Sequence, residues 1–227
     1  MRPFKRFVWL VLVLASPLLA GHASAATVSF GLTDFSVSTT TVSGVNLFPD
    51  PIYAPALPVD ATFTLPAEPL SMPPSPSNTY LAMYEGKFLR FTFELPAGYY
   101  DLAFTFEALV NDEFALYVND TVVAMQSSTG TDNFYAPLPG FSMNAAGIAT
   151  DTSGKLDYLL VNGIQPLFHA GTNELTLFGT DTLLYGGISV INGTISAVPE
   201  PEVYGMMLAG LGLLAVATCH RKIGATR

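Results

Sequence analysis

The chain has 227 residues, half of them hydrophobic, one cysteine and a formal net charge of −9. A single cysteine excludes an internal disulfide, and the acidic balance excludes a surface built to hold nucleic acid or anionic lipid. The length leaves room for one domain once the two terminal segments are set aside.

Residues 1–25 read as a signal peptide. Arg2, Lys5 and Arg6 form a basic start, Phe7 to Ala20 an apolar run, and Ala23-Ser24-Ala25 an A-x-A site at which signal peptidase would cut. The run is short for a membrane anchor and ends in Gly21, His22 and small residues. Residues 26–197 then form the cargo, with Lys87, Arg90 and Lys155 as the basic side chains against sixteen acids, a net charge of −13. A domain of this size buries roughly 70% of its unfolded surface and needs no disulfide to fold. The single cysteine, Cys219, lies beyond it.

From Ala26 to Phe48 the chain is rich in Thr, Ser, Val and Phe in rough alternation, which suits strands. Residues 49–76 hold nine prolines, so this stretch is predicted as loop with at most an edge strand at Ala61–Leu65. Strands are predicted at Tyr80–Tyr84 and Lys87–Glu94, with Phe91 and Phe93 sharing one face. Leu95-Pro96-Ala97-Gly98 is a turn, followed by a strand over Tyr99–Ala108 with Leu102, Phe104 and Phe106 on one face. Asn111-Asp112-Glu113 reads as a turn, Phe114–Val118 as a strand, and Asn119-Asp120 as a two-residue hairpin turn into Thr121–Met125. Residues 126–154 are predicted as a long surface excursion with little regular structure. Further strands fall at Leu156–Val161, at Glu174–Phe178 after a Gly171-Thr172-Asn173 turn, and at Ile188–Ile195. No amphipathic helical period of useful length precedes residue 200. The expected fold is all-β, a single β-sandwich or jelly-roll domain.

Three places bear on chemistry. Asn111, Asp112 and Glu113 form an acidic turn able to offer oxygen ligands to Ca²⁺, or else a solvated turn capping its own backbone. Phe134, Tyr135 and Phe141, with Asp132 and Asn133, make the long loop the best candidate for ligand recognition, or else cover the edge of the sandwich. His169, the one histidine between residues 26 and 197, reads as structural. Without a G-x-S-x-G or H-E-x-x-H motif, elbow-type hydrolases and zinc proteases have no support, and no cofactor is expected beyond that calcium option.

The end of the chain has three parts in fixed order: Val198-Pro199-Glu200-Pro201-Glu202, the apolar run 203–219, and His220-Arg221-Lys222. The run has 17 residues, so a helix would extend roughly 25 Å, slightly short of a hydrocarbon core of about 30 Å. Gly205 and Ala209 make a small-x-x-x-small pair suited to close helix packing. Arg221 and Lys222 would stop transfer and remain cytoplasmic. An ordinary single-pass anchor explains the helix and the charges but not the Pro-Glu-Pro before them.

This tail, 198–227, resembles the PEP-CTERM sorting signal of Gram-negative bacteria. The resemblance implies that an exosortase-type membrane enzyme processes the chain near Pro199, Glu200 and Pro201. It implies export across the inner membrane, transient anchoring by a transmembrane helix over 203–219, then release to the cell surface or to exopolysaccharide. The basic end carries less arginine than is usual in that family. The cargo is similar to galactose-binding-like jelly rolls at Leu95-Pro96-Ala97-Gly98-Tyr99-Tyr100, at Asn111–Asn119 and at Phe168–Leu177. The function expected from all this is a non-catalytic surface or extracellular-matrix protein of biofilm type. The alternatives are a carbohydrate- or calcium-binding module, or a protein retained in the membrane.

Overall fold

The computed structural model describes residues 26–44, 47, 50–69, 77–127, 138–181, 186–199 and 210–212. In chain order the strands are β1 (Ala26–Gly31), β2 (Ser36–Ser43), β3 (Phe63–Pro66), β4 (Tyr80–Leu81), β5 (Glu85–Leu95), β6 (Tyr99–Asn111) and β7 (Glu113–Val118). They continue as β8 (Thr121–Gln126), β9 (Gly140–Met143), β10 (Ala149–Asp151), β11 (Tyr158–Leu159), β12 (Gly171–Thr180) and β13 (Gly186–Pro199). They form two antiparallel sheets packed as a sandwich. The first has the order β1-β13-β6-β9-β10, with β4 beside the start of β13; the second has the order β11-β8-β7-β12-β5-β2-β3.

Alternation places the core. One row of the first sheet runs Val28, Ile195, Phe104, Met143, Ala149 across its strands, all apolar and turned inward. The next row in register is Ser29, Thr194, Thr105, Ser142, Thr150, a hydroxyl from every strand, turned outward. A period of two requires this separation, and a slip of one residue would exchange the two rows. Between the sheets the phenylalanines form a connected chain. Phe30 lies 5.1 Å from Phe91, Phe91 5.6 Å from Phe93, and Phe168 5.7 Å from Phe104 in an edge contact. Such edge and offset contacts add to the area that each ring buries.

The second sheet is buried on both faces at its centre, and every residue of β7 is buried. Its outer face carries a second cluster of Phe88, Ala115, Tyr117, Met125 and Phe178. Leu47, just before the proline-rich stretch, and Ala54, Leu57 and Phe63 within it cover that cluster. The Tyr117 hydroxyl donates to Pro55 O at 2.7 Å and ties this strap down. Arg90 stacks 4.0 Å over the Phe63 ring and pairs with Glu174 at 3.2 Å.

Several expectations match: Phe91 and Phe93 share the inner face, Asn119-Asp120 is the β7–β8 turn, and β3 is an edge strand that carries Pro66. Others are corrected. The strand predicted over Tyr80–Tyr84 stops at Leu81, and Tyr84 takes a positive φ of 61°. The long excursion holds two strands, because Phe141 and Met143 point inward and pull β9 onto β6. The turn predicted at Gly171-Thr172-Asn173 is already strand, paired with β5 from its first residue.

 Gly171 stands opposite Leu95, and the register runs unbroken to Thr180 opposite Gly86. In the tail, residues 210–212 are helical; the rest of the helix expected over 203–219 lies outside the described residues. Among the described residues no helix is long and apolar enough to cross a membrane.

Candidate functional site

The acidic turn is not solvated. Asn111 closes β6, Glu113 opens β7, and the three residues are 6%, 8% and 0% exposed. The peptide bond between Asn111 and Asp112 is cis. Asp112 N–H donates to Thr180 O at 3.1 Å, and Glu113 Oε2 accepts from Leu47 N–H at 2.7 Å. Around them Tyr84 N–H donates to Asp181 O at 2.7 Å and Thr180 Oγ1 to Glu85 O at 3.1 Å. The trio therefore joins the strap, β5 and β12 in a buried polar corner. Among the described residues no group of three His, Cys, Asp or Glu side chains stands close enough to hold a metal.

The candidate ligand loop divides. Asp132, Asn133, Phe134 and Tyr135 lie outside the described residues. Phe141 is 1% exposed in β9, with its ring edge-on to Phe104 at 5.2 Å. His169 N–H donates to Asn173 Oδ1 at 3.0 Å, and its exposed ring Nδ1 lies 3.1 Å from Ala170 O.

Titration follows local contacts. Burial lowers the Lys87 ammonium, partly offset by Glu85, and its Nζ donates to Asn78 O at 3.1 Å. Burial raises the phenols of Tyr99 and Tyr117. Burial also pushes the Asp151 carboxyl up, but hydrogen bonds from the Ser153 hydroxyl and the N–H groups of Ser153, Leu156 and Gly154 outweigh it and hold the group below its ordinary value.

A surface that single-strand reading misses lies on the outside of the first sheet. Ser29, Thr105, Glu107, Ser142, Asn192 and Thr194 line a shallow groove of about 520 Å³. Thr105 and Thr194 hydroxyls are 2.7 Å apart, and Thr194 N–H donates to Thr105 Oγ1 at 3.1 Å. The sequence signal was the outward half of each alternation, but only cross-strand register joins the halves into one row.

At the two ends of the cargo, β1 begins at Ala26, directly after the expected cleavage site at Ala23 and Ala25, which lies outside the described residues. β13 runs on through Val198, opposite Asp101, to Pro199, opposite Tyr99. The Tyr99 hydroxyl donates to Phe168 O at 2.8 Å beside that end. Pro199 is thus the last paired residue among those described, and Glu200, Pro201, Arg221 and Lys222 lie outside the described residues. From Pro199 to the start of the apolar run at Val203 is a reach of roughly 14 Å at most for an extended chain. Three residues of sequence separate Pro199 from that run, too few for a domain between.

No curated protein and no solved structure matches the chain. One family model does match, that of the PEP-CTERM protein-sorting motif, over residues 197–222. It begins inside the last turn of pairing of β13 and covers the Pro-Glu-Pro, the apolar run and the first basic residues. Across those residues the chain carries the PEP-CTERM sorting signal, which marks an exported protein handled by an exosortase-type membrane enzyme.

Proposed function

We propose that the protein is a non-catalytic component of the cell surface or extracellular matrix, cut from its membrane-held tail after export. The observation that carries this reading is the sorting motif joined without a linker to an acidic β-sandwich. A core charge of −13 with no disulfide suits a domain working outside the cell. Mass spectrometry of the mature protein tests it: a C-terminus close to Pro201 is expected, whereas an intact Arg227 would mean a permanent anchor. Deleting the gene should alter matrix texture or flocculation, and an unchanged matrix would count against the role.

A second reading, contact with a neutral polysaccharide, is favoured by the outer groove. Its lining offers hydroxyls, one amide and the Glu107 carboxylate, and no basic side chain. Those groups suit a hydroxyl-rich, uncharged chain better than an anionic one. Titration calorimetry of the mature protein against the host's polysaccharide tests it, with Thr105→Lys as the variant expected to abolish binding; absent heat with the unaltered protein removes this reading.

A further inference from the structure

Among the described residues, β1 is the longest border strand of the sandwich, and it lacks the usual protection. A border strand presents unpaired N–H and C=O groups, and proteins blunt it with charge, proline, bulges or shortness. Here β10 has three residues and ends in Asp151, β11 has two, and β3 has four and ends in Pro66. β1 has six residues, Ala-Thr-Val-Ser-Phe-Gly, with no charge and no proline, and its ladder to β13 runs without a bulge. Among the described residues no strand pairs with its other side.

The direction of its free groups follows from two contacts. Thr194 N–H donates to Thr105 Oγ1 of β6 at 3.1 Å and so points away from β1, which leaves its partner Ser29 without a ladder bond to β13; Gly31 N–H, two residues on, donates to Asp34 Oδ2 at 2.7 Å. In an antiparallel ladder the bonding side alternates. Thr27 and Ser29 therefore turn their N–H and C=O to the same open side as Gly31, and both side chains are exposed.

We infer that the mature protein self-associates through β1, pairing antiparallel with β1 of a second copy about a two-fold axis at Val28. This register sets Thr27 opposite Ser29 of the second copy and Ala26 opposite Phe30. It keeps both outer faces on one side, joining two hydroxyl-bearing sheets edge to edge. It also supplies complementary charge. Cleavage after Ala25 makes Ala26 the N-terminus, and its new ammonium group comes to lie beside Gly31 and the exposed Asp34 of the second copy. The two-fold axis makes that pair twice. The uncut chain has no ammonium there and continues from the border strand into the signal peptide, so pairing follows signal removal. The inference rests on the reading of Ala23 and Ala25 as the cleavage site.

Cysteine cross-linking of the full chain in an exporting host tests it. In a Cys219→Ser background, Thr27→Cys and Ser29→Cys chains are co-expressed, oxidised and run on a non-reducing gel. Opposed positions on an antiparallel pair have Cβ atoms about 4.5–5.5 Å apart, close enough for a disulfide after slight adjustment. A covalent dimer only when both variants are present is the expected result, since neither position faces itself. Adding Ser29→Pro to the Thr27→Cys chain, which removes an outward N–H and spares the ladder to β13, should reduce the dimer at least tenfold while protease resistance of the monomer persists. No dimer, or equal dimer with either variant alone, overturns the inference. N-terminal sequencing separates the premise from the pairing: a mature start other than Ala26 removes the ammonium and overturns the proposed register even where some dimer forms.

Discussion

The Asn119 side-chain amide donates to Asn173 Oδ1 at 3.3 Å, joining the turn between β7 and β8 to the start of β12. Each also serves backbone. Asn119 Nδ2 donates to Leu167 O and its Oδ1 accepts from Glu174 N–H, while Asn173 Nδ2 donates to His169 O and Gly171 O. Asn119 holds a positive φ of 49°, a conformation that asparagine tolerates better than most residues. Asn173 is fully buried. Replacing it with alanine strands several partners at about 1–3 kcal/mol each. Asn173→Ala should lower the urea midpoint markedly; an unchanged midpoint would show that water takes over all of these bonds.

Phe104 tests the core. It is fully buried and touches Phe30, Phe106, Phe141 and Phe168. Phe104→Ala should cost about 3–5 kcal/mol, a large share of the roughly 5–15 kcal/mol that holds a domain together. Thermal melting reads this directly, and a shift of only a degree or two would mean that the core collapses to fill the space.

Gly193 tests the close approach of β1 to β13. A Cβ there would run into the Phe30 ring and the Thr105 carbonyl oxygen. Gly193→Ala should destabilise by about 1–3 kcal/mol, because the ring has no empty space to enter. Circular dichroism melts check it, and a neutral outcome would mean that Phe30 repacks.

Much of this frame was legible in the sequence. Alternation placed Phe91, Phe93, Phe104 and Phe106 inward, and Asn119-Asp120 marked its hairpin. What could not be read depends on contacts between distant segments. Asn111, Asp112 and Glu113 have the composition of a solvated turn, and they are buried because Leu47 and Thr180 supply partners. Phe141 lies in a polar stretch, and its burial is decided by pairing between β9 and β6. The strap over the second sheet has no period to betray it, since prolines fix φ without dictating a face. The outer row of hydroxyls needs four separate registers before it exists at all.

Asp151 gives the protein a pH signature. Its folded-state value lies below the ordinary one, so its contribution is complete above about pH 4 and is lost as pH falls through the lowered value. Asp151→Asn should lower stability at neutral pH and flatten the decline between pH 4 and 2. Denaturant midpoints across that range check it; parallel curves for the two proteins would refute it.

Tyr117→Phe should loosen the strap and little else, since the hydroxyl bonds Pro55 O while the ring packs on β7's outer face. The loss is about 1 kcal/mol. Limited proteolysis should cut faster between residues 50 and 60, with a nearly unchanged global melt.

β13 lies between β1 and β6, and Thr27 meets Ser196 across 169 positions of chain. The first sheet thus lacks an interior strand until nearly all of the cargo is available to pair. Proteins dominated by such distant pairings fold slowly. The cargo therefore closes only with the strand that leads into the sorting motif, since β13 runs to Pro199 and the motif begins at residue 197. Completion of the fold and presentation of the sorting signal thus share the same few residues.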